Sequence, residues 1–321
     1  MIERGRFAPT PSGRLHIGSA RTALASQLAA RARGGRHVLR VEDLDSARTK
    51  AGMIDAMIED LAWVGVEFDE GFRCQERPHS PYLQSERSAL YRAALDGLRE
   101  RGMVFPCACS RADVEQAATA PHGAEPIYSG RCRARAEGAV FDEARMKGRT
   151  VAWRFCVRPG TVSLDDEVAG RFEQDVQRDV GDFVVFRADS VAAYQLAVVV
   201  DDITMEITQV VRGADLLAST PRQLLLYEAL LAPAPRFAHI GLVVDHRGER
   251  LAKRARGLAI AELREAGADP KAVRDALLRS LGAGDDAGPF RLDPSMAAAI
   301  SLEELRGNGL PMDITAKLEG V

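Results

Sequence analysis

The chain has 321 residues, of which 46% are hydrophobic and 28% are charged, a composition typical of a globular protein with roughly two domains. Its 43 Lys and Arg residues against 46 Asp and Glu residues give a net charge of −3, so a nucleic-acid partner would need a local basic patch. No apolar run is long enough for a membrane span, and the N-terminus lacks a secretion signal. A cytoplasmic location without membrane association is therefore expected.

Short strands and helices alternate over the first part of the chain. Apolar spacing and β-branched residues predict a strand at 4–8, a helix at 17–33, a strand at 37–43 and an amphipathic helix at 50–64. Short links between such elements are typical of a parallel α/β sheet.

The character of the sequence changes around residue 103, where cysteine, proline, glycine and arginine become frequent. Strands are predicted at 151–157 and 182–189. The run AAYQLAVVVDDI at 192–203 is almost continuously apolar and is predicted to form a strand buried on both faces, followed by another strand at 207–213. We therefore expect one α/β sheet that a long insertion interrupts.

Two residue pairs predict helix starts near the end of this region and beyond it. Thr220 before Pro221, and Asp269 before Pro270, each place a capping side chain ahead of a proline at the first helical position. From residue 240 onward the chain is predicted to be mainly helical.

The stretch PTPSGRLHIGSARTAL at 9–24 places a proline- and glycine-rich bend and a histidine where a helix begins. A helix N-terminus carries unpaired N–H groups and a partial positive charge, which suit phosphate. Gly13 and Gly18 let a ligand approach the backbone closely, and His16 adds a donor. By itself the stretch fits a phosphate site and an ordinary strand-to-helix turn equally well.

A cysteine cluster lies in the insertion. Five cysteines argue against a disulfide framework, whereas Cys107, Cys109 and Cys132 with a fourth ligand form the donor set of a structural zinc site. Chemistry alone favours His122 as the fourth ligand, and three buried free thiols are the alternative. The insertion is also rich in arginine, which fits either RNA contacts or a solvated helix face.

Four motifs, in order, resemble class I aminoacyl-tRNA synthetases of the glutamyl type. RFAPTPSGRLHIGSARTA resembles their first signature, HVLRVEDLDSAR the strand that follows, and YQLAVVVDD with ITQVVRGADLLASTPRQLLLYEAL their second half-sheet. DHRGERLAKR stands where these enzymes carry a lysine-rich second signature. The resemblance implies an α/β, Rossmann-type fold with a parallel sheet, a zinc-containing insertion and a short, mainly helical C-terminal region.

The resemblance also predicts how the chain is divided. Residues 1–100 would form the first half of the Rossmann catalytic domain, 101–185 an inserted zinc-binding, acceptor-like subdomain, 186–240 the second Rossmann half, and 241–321 the second-signature loop and a stem-like helical region. Few residues follow RLAKR, so no anticodon-binding domain is expected. The chain therefore resembles the shorter glutamyl-queuosine tRNA(Asp) synthetase family, which attaches glutamate to the queuosine base of tRNA(Asp). A monomer is expected.

A glutamate pocket follows from this resemblance. Glutamate carries two carboxylates and one ammonium; Arg6 and Arg212 would bind the carboxylates, with Arg6 favoured for the side-chain carboxylate, and Glu42 would bind the ammonium. The whole implied pocket consists of Arg6, Phe7, Ala8, Pro9, Thr10, Glu42, Tyr194 and Arg212. Asp201 and Asp202 are left without an assigned role.

The implied ATP site comprises His16, Gly18, Ser19 and Lys253, with Mg²⁺ accompanying ATP and with His16 and Lys253 in the catalytic role. RLAKR departs from the usual Lys-Leu-Ser-Lys, because arginine replaces the first lysine and alanine replaces the serine. The missing serine leaves open a non-catalytic glutamate or ATP sensor. A truncated glutamyl-tRNA synthetase that charges a tRNA 3′ end is a separate alternative. The resemblance also bears on the zinc site. In the glutamyl-queuosine family the fourth zinc ligand is a tyrosine, which matches Tyr128.

Overall fold

The computed structural model of the chain describes residues 2–44, 52–109, 127–133, 150–245, 248, 258–283 and 290–311. Two residues predicted to act in the sites, Lys253 and the alternative zinc ligand His122, lie outside these ranges.

The strands, in chain order, are β1 (Arg4–Phe7), β2 (Arg36–Leu39), β3 (Glu70–Gly71), β4 (Val104–Cys107), β5 (Ala152–Phe155), β6 (Thr161–Asp166), β7 (Gly170–Asp175), β8 (Val184–Phe186), β9 (Gln209–Gly213), β10 (Arg236–Ile240), β11 (Val243–Val244) and β12 (Ile300–Ser301). The helices are α1 (Ile17–Ala32), α2 (Met53–Trp63), α3 (Ser88–Glu100), α4 (Val176–Asp179), α5 (Tyr194–Thr204), α6 (Thr220–Ala229), α7 (Ile260–Glu265), α8 (Pro270–Arg279) and α9 (Leu302–Gly307). Short 3₁₀ helices lie at Gln84–Arg87, Ala214–Ser219 and Pro294–Ala297.

A five-stranded parallel sheet in the order β10-β9-β1-β2-β3 forms the centre of the molecule. Strand β1 pairs with β2 on one side and with β9 on the other, so segments far apart in the chain meet at its middle. Helix α1 packs closely on this centre, because a Cβ at Gly5 would lie only 3.0 Å from the Cβ of Ala30. The predicted α/β fold with a parallel sheet is thus confirmed.

The segments between the two halves of this sheet form separate β structure. Strands β4, β5 and β8 make a three-stranded antiparallel sheet, and β6 and β7 make a hairpin. The hairpin is joined to the central sheet, because the backbone N–H of Glu167 donates to the carbonyl of Phe237 in β10 at 2.9 Å.

The run at 192–203 is a helix, α5, so the predicted buried strand is wrong. The helix packs against α3, α6 and β8, and its residues from Leu196 to Asp202 are all buried. A helix enclosed on most sides needs no polar face, so its sequence loses the 3.6-residue periodicity that separates a helix from a buried strand. Asp201 and Asp202 therefore lie in the last full turn of a helix.

One of the two predicted caps is present. The carboxylate of Asp269 accepts hydrogen bonds from the backbone N–H groups of Lys271 and Ala272 at the start of α8. At α6 the prediction is wrong, because Ser219 occupies the cap position and Thr220 is the first helical residue. The Thr220 hydroxyl instead accepts a hydrogen bond from Arg212 at 2.9 Å.

Apolar side chains fill both faces of the central sheet. One core lies between the sheet, α1, α2 and the C-terminal helices, and the other surrounds α5. Across the part of the chain that the structure describes, no helix combines the length and the apolar character that crossing a membrane requires.

A buried ion network joins the carboxyl ends of β1 and β2 to α5. Arg40, which is fully buried, donates to Asp202 at 2.5 Å and to Glu42 at 3.3 Å, and its Nε lies 3.6 Å from Asp201. Arg6 donates to both carboxylate oxygens of Asp202 at 3.3 Å. The two aspartates left unassigned by the sequence are thus partners of buried arginines.

The outer part of the network surrounds Asp201. Its carboxylate accepts hydrogen bonds from Arg87 at 2.6 Å, from Gln84 at 2.7 Å and from the Tyr91 hydroxyl at 3.0 Å. Together the three arginines and three carboxylates of the network balance in charge, which a water-poor interior requires. Burial would raise the pKa of Asp202, but Arg40 and Arg6 outweigh it and the pKa is lowered.

We expect Arg40→Ala to lower the free energy of unfolding by about 3–5 kcal/mol, because it leaves three buried carboxylates facing two arginines. Urea denaturation followed by circular dichroism measures this change. The matched control is Arg171→Ala, which removes an exposed arginine paired with Glu173 on the hairpin and should leave the midpoint unchanged. Equal midpoints for the two variants would contradict the structural role of the network.

Candidate functional site

A cavity of about 560 Å³ opens where β1 and β9 end and α1 begins. In parallel α/β sheets this edge is where ligands bind. With the exception of Lys253, all residues predicted for glutamate and ATP line it: Arg6, Phe7, Ala8, Pro9, Thr10, His16, Gly18, Ser19, Glu42, Tyr194 and Arg212.

Arg6 lines this cavity and is only 5% exposed. Its Nε and Nη2 atoms both donate to Asp202 of α5. The edge of the guanidinium that would form a two-bond pair with a ligand through these atoms is therefore already engaged, and the ion network fixes the orientation of the side chain.

Arg212, the last residue but one of β9, is held by neutral groups instead. Its Nε donates to His239 at 2.9 Å, and its Nη2 donates to Thr220 at 2.9 Å and to Gln223 at 2.8 Å. Its Nη1 is buried and has no hydrogen-bond partner in the described ranges. Burial lowers the pKa of Arg212, and no carboxylate makes a hydrogen bond or ion pair with it among these residues.

Glu42 and Tyr194 line the cavity together with these two arginines. Burial raises the pKa of Glu42, although the neighbouring Arg40 and Arg6 oppose this effect. Tyr194 begins α5 and remains 37% exposed. A buried carboxylate and a reachable phenol thus lie beside two arginines, a set that complements a small zwitterion with an extra carboxylate.

The first turn of α1 also lines the cavity. His16 occupies the N-cap position with an extended backbone, and its Nδ1 is buried without a hydrogen-bond partner in the described chain. A Cβ at Gly13 would meet nothing within 4 Å, and one at Gly18 would only touch Val243 at 3.5 Å. Protein packing therefore demands neither glycine, and the helix start can accept an anion.

The segment after RLAKR returns to this helix start. The N–H of Ile17 donates to the carbonyl of Leu258 at 3.0 Å, and the N–H of Ile260 donates to the carbonyl of Leu15 at 2.8 Å. The chain that carries the second signature is thus tied to the first signature directly beyond residue 257.

Sequence reasoning missed further lining residues. Asp215, Leu216 and Leu242 reach the cavity from the segments after β9 and β10, and Met57 reaches it from α2. The motif VVRGADLL contains the first two, so the end of a predicted strand was the available signal. Nothing in the local sequence of Met57 or Leu242 marks a cavity, because only the packing of distant elements places them there.

The cysteine cluster forms a second candidate site. The Sγ atoms of Cys107, Cys109 and Cys132 lie within 4.8 Å of one another, and those of Cys109 and Cys132 are 3.6 Å apart. The Tyr128 hydroxyl lies 3.5 Å from the Sγ of Cys107 and 3.9 Å from that of Cys109. Sulfurs bound to one tetrahedral zinc stand about 3.8 Å apart, so the donors present fit a metal ion.

The pKa values of two thiols in the cluster shift in opposite directions. Burial raises the pKa of Cys109 to about 11. At Cys132 burial acts in the same direction, but hydrogen bonds from the Tyr128 hydroxyl and the Ala108 N–H outweigh it and lower the pKa. The Tyr128 hydroxyl also accepts the backbone N–H of Cys132 at 2.7 Å. Of these two thiols, Cys132 is therefore the more easily converted to the thiolate that a metal ion binds.

The sequence was compared with those of known proteins. Residues 4–288 match the family model for the catalytic domain of class I tRNA synthetases (E and Q). A protein of Symbiobacterium thermophilum named Glutamyl-Q tRNA(Asp) synthetase is 44% identical over 98% of both chains. A Glutamate--tRNA ligase of Heliobacterium modesticaldum is 39% identical over 94% of this chain but over 61% of its own length.

Among solved structures, the glutamate-tRNA synthetase from Elizabethkingia anophelis superposes with a TM-score of 0.82 at 27% identity. The superposition covers 96% of this chain and 70% of that one. The fold of this chain is thus similar to that of a synthetase over almost its whole length, well beyond the short motifs.

Proposed function

The chain belongs to the class I tRNA synthetases of the E and Q type and is a ligase, and on this basis we propose that it activates glutamate with ATP and transfers the glutamyl group to the queuosine base of tRNA(Asp). The observation that carries the proposal is the joint placement of Arg6, Glu42 and Arg212 in one cavity with the start of α1. The alignment with the relative named Glutamyl-Q tRNA(Asp) synthetase covers 98% of both chains, which supports queuosine in tRNA(Asp) as the acceptor.

Charge complementarity selects glutamate. Arg6 and Arg212 bind its two carboxylates, Glu42 binds the ammonium and Tyr194 adds a hydroxyl, while Phe7, Ala8, Pro9 and Thr10 form the wall. Glutamine is rejected because a neutral amide leaves a buried guanidinium unpaired.

Activation requires positioning rather than a protein nucleophile. A glutamate carboxylate oxygen attacks the α-phosphorus of ATP, forming the mixed anhydride glutamyl-adenylate and releasing pyrophosphate. His16 and the N–H groups of Gly18 and Ser19 hold the phosphates, with Mg²⁺, and Lys253 neutralises charge that develops on them. A queuosine hydroxyl then attacks the glutamyl carbonyl and releases AMP. The modified base must leave its loop stack to reach the cavity.

The cysteine cluster holds a structural zinc ion in this proposal. Cys107, Cys109 and Cys132 supply thiolates and Tyr128 the fourth ligand, which closes the site to substrates. Metal binding stabilises a loop-rich insertion in which few apolar side chains surround the cluster.

Glutamate should support exchange of labelled pyrophosphate into ATP without any tRNA, and Glu42→Gln should raise the KM for glutamate about tenfold or more, since a charged hydrogen bond is lost. Because the pKa of Glu42 is raised, its carboxylate becomes protonated at a higher pH than an ordinary glutamate. The wild-type KM for glutamate should therefore also rise as the pH falls towards the ordinary carboxyl range. In Glu42→Gln that rise should disappear.

Glu173→Gln, the same substitution at an exposed hairpin position, should keep both the KM and its pH dependence. Absence of glutamate-dependent exchange in the wild type would contradict activation altogether. A pH dependence that persists in Glu42→Gln would show that another group binds the ammonium.

Labelled glutamate should be transferred to tRNA(Asp) that carries queuosine and not to the same tRNA isolated from cells unable to make queuosine. The matched pair differs only at the modified base, so the comparison isolates the acceptor. Equal charging of both, or charging of tRNA(Glu), would instead support the alternative in which the enzyme esterifies a tRNA 3′ end. The 39% identity to a Glutamate--tRNA ligase makes that alternative worth testing.

Metal analysis of the purified protein should find about one zinc per chain, because three thiolates and one further ligand bind a single ion. Cys132→Ser should lose the zinc, whereas Cys74→Ser, outside the cluster and in contact with the carbonyl of Phe72, should retain it. Tyr128→Phe should lower zinc occupancy under mild chelation. Unchanged zinc in that variant would assign the fourth position to His122 or water.

A further inference from the structure

Arg212 has one nitrogen left for a ligand. Its Nε is engaged by His239, and both hydrogens of Nη2 are directed to Thr220 and Gln223. Nη1 is buried and unpartnered in the described ranges. Arg212 lines the cavity, and the direction in which its Nη1 points depends on how the rest of the guanidinium is held.

His239, on β10, is the group that orients the Nε edge. A guanidinium only donates hydrogen bonds, so the Nε2 atom of His239, 2.9 Å away, must carry a lone pair. The ring proton therefore resides on Nδ1, which lies 2.6 Å from the Oδ2 atom of Asp166. The ring is fully buried and stacks near Phe237 at a centroid distance of 6.1 Å.

Asp166, the last residue of β6, imposes this tautomer. Its Oδ1 atom accepts three backbone hydrogen bonds, from His239 at 3.0 Å, Val168 at 3.0 Å and Ala169 at 2.8 Å. These bonds fix the carboxylate, so that Oδ2 faces the histidine. Burial would raise the pKa of Asp166, but the bonds from His239 and Ala169 outweigh it and the pKa is lowered, which keeps the group an acceptor.

We propose that Asp166 and His239 are positioning residues for the glutamate site: together they set the tautomer that holds Arg212 with Nη1 free to bind a substrate carboxylate. The inference rests on the proposed binding of glutamate. It gives the β6–β7 hairpin a role in substrate specificity, although the hairpin lies between the two halves of the central sheet in sequence and contributes no residue to the cavity wall among the described residues.

Asp166→Asn tests the tautomer directly. The three backbone donors keep the amide oxygen at the Oδ1 position, so the amide nitrogen must face His239 and donate to Nδ1. The ring proton then moves to Nε2 and opposes the Nε–H of Arg212. Nitrogen-15 NMR of the imidazole at neutral pH should show Nδ1–H in the wild type and Nε2–H in the variant. Nε2–H in the wild type, or no change in the variant, overturns the inference.

Calorimetric binding supplies the second readout. Asp166→Asn should weaken glutamate binding about tenfold or more while leaving the affinity for ATP unchanged, since only Arg212 is disturbed. Asp165→Asn, at the exposed neighbouring position of the same hairpin, should change neither. A purely structural role for Asp166 would instead weaken both ligands together with thermal stability.

His239 itself gives a conservative rescue. His239→Leu should lose glutamate affinity to a similar extent, and His239→Gln should restore it to within about threefold, because its amide oxygen can accept from Arg212. If the wild type binds glutamate and Asp166→Asn or His239→Leu binds it equally well, the positioning role is wrong. If the wild type binds no glutamate, the proposed function itself fails.

Discussion

The pairing of Arg40 with Asp202 is the interaction on which the rest of the site depends. It lies where β1 and β2 end and where α5 closes, so it joins chain segments separated by 162 residues. Buried charges are tolerated only in balanced, hydrogen-bonded sets, and here each carboxylate has at least one arginine partner. The helix and the sheet edge are consequently fixed relative to each other at the point where the cavity begins.

The two arginines of the cavity, Arg6 and Arg212, have different surroundings. Arg6 belongs to the ion network and is oriented by a carboxylate, whereas Arg212 is oriented by a histidine, a threonine and a glutamine. A guanidinium whose hydrogen-bond acceptors are neutral attracts a ligand carboxylate more strongly than one that is already paired with an aspartate. The two arginines are therefore not equivalent towards the two carboxylates of glutamate.

Residues that do not line the cavity orient the arginines that do. Asp202 orients Arg6 from α5, and Asp166 reaches Arg212 through His239 from the hairpin. The binding residues lie at strand ends and at two helix starts, while the residues that orient them come from α5, α6, β6 and β10. Such a division gives a site precise geometry without long loops.

The sequence by itself determined the parallel α/β sheet and the helix predicted at 17–33, because alternating strands and helices leave a local pattern. The residues predicted for the cavity came from the resemblance of the motifs to a known family, and they line one cavity with the exception of Lys253. The sequence also identified the cysteines that cluster with Tyr128. Only the tertiary structure decided that residues 194–204 are a helix, since an element buried on most sides shows no periodicity. The partners of Asp201, Asp202 and His239 likewise come from distant strands and helices, and no local pattern records such long-range pairing.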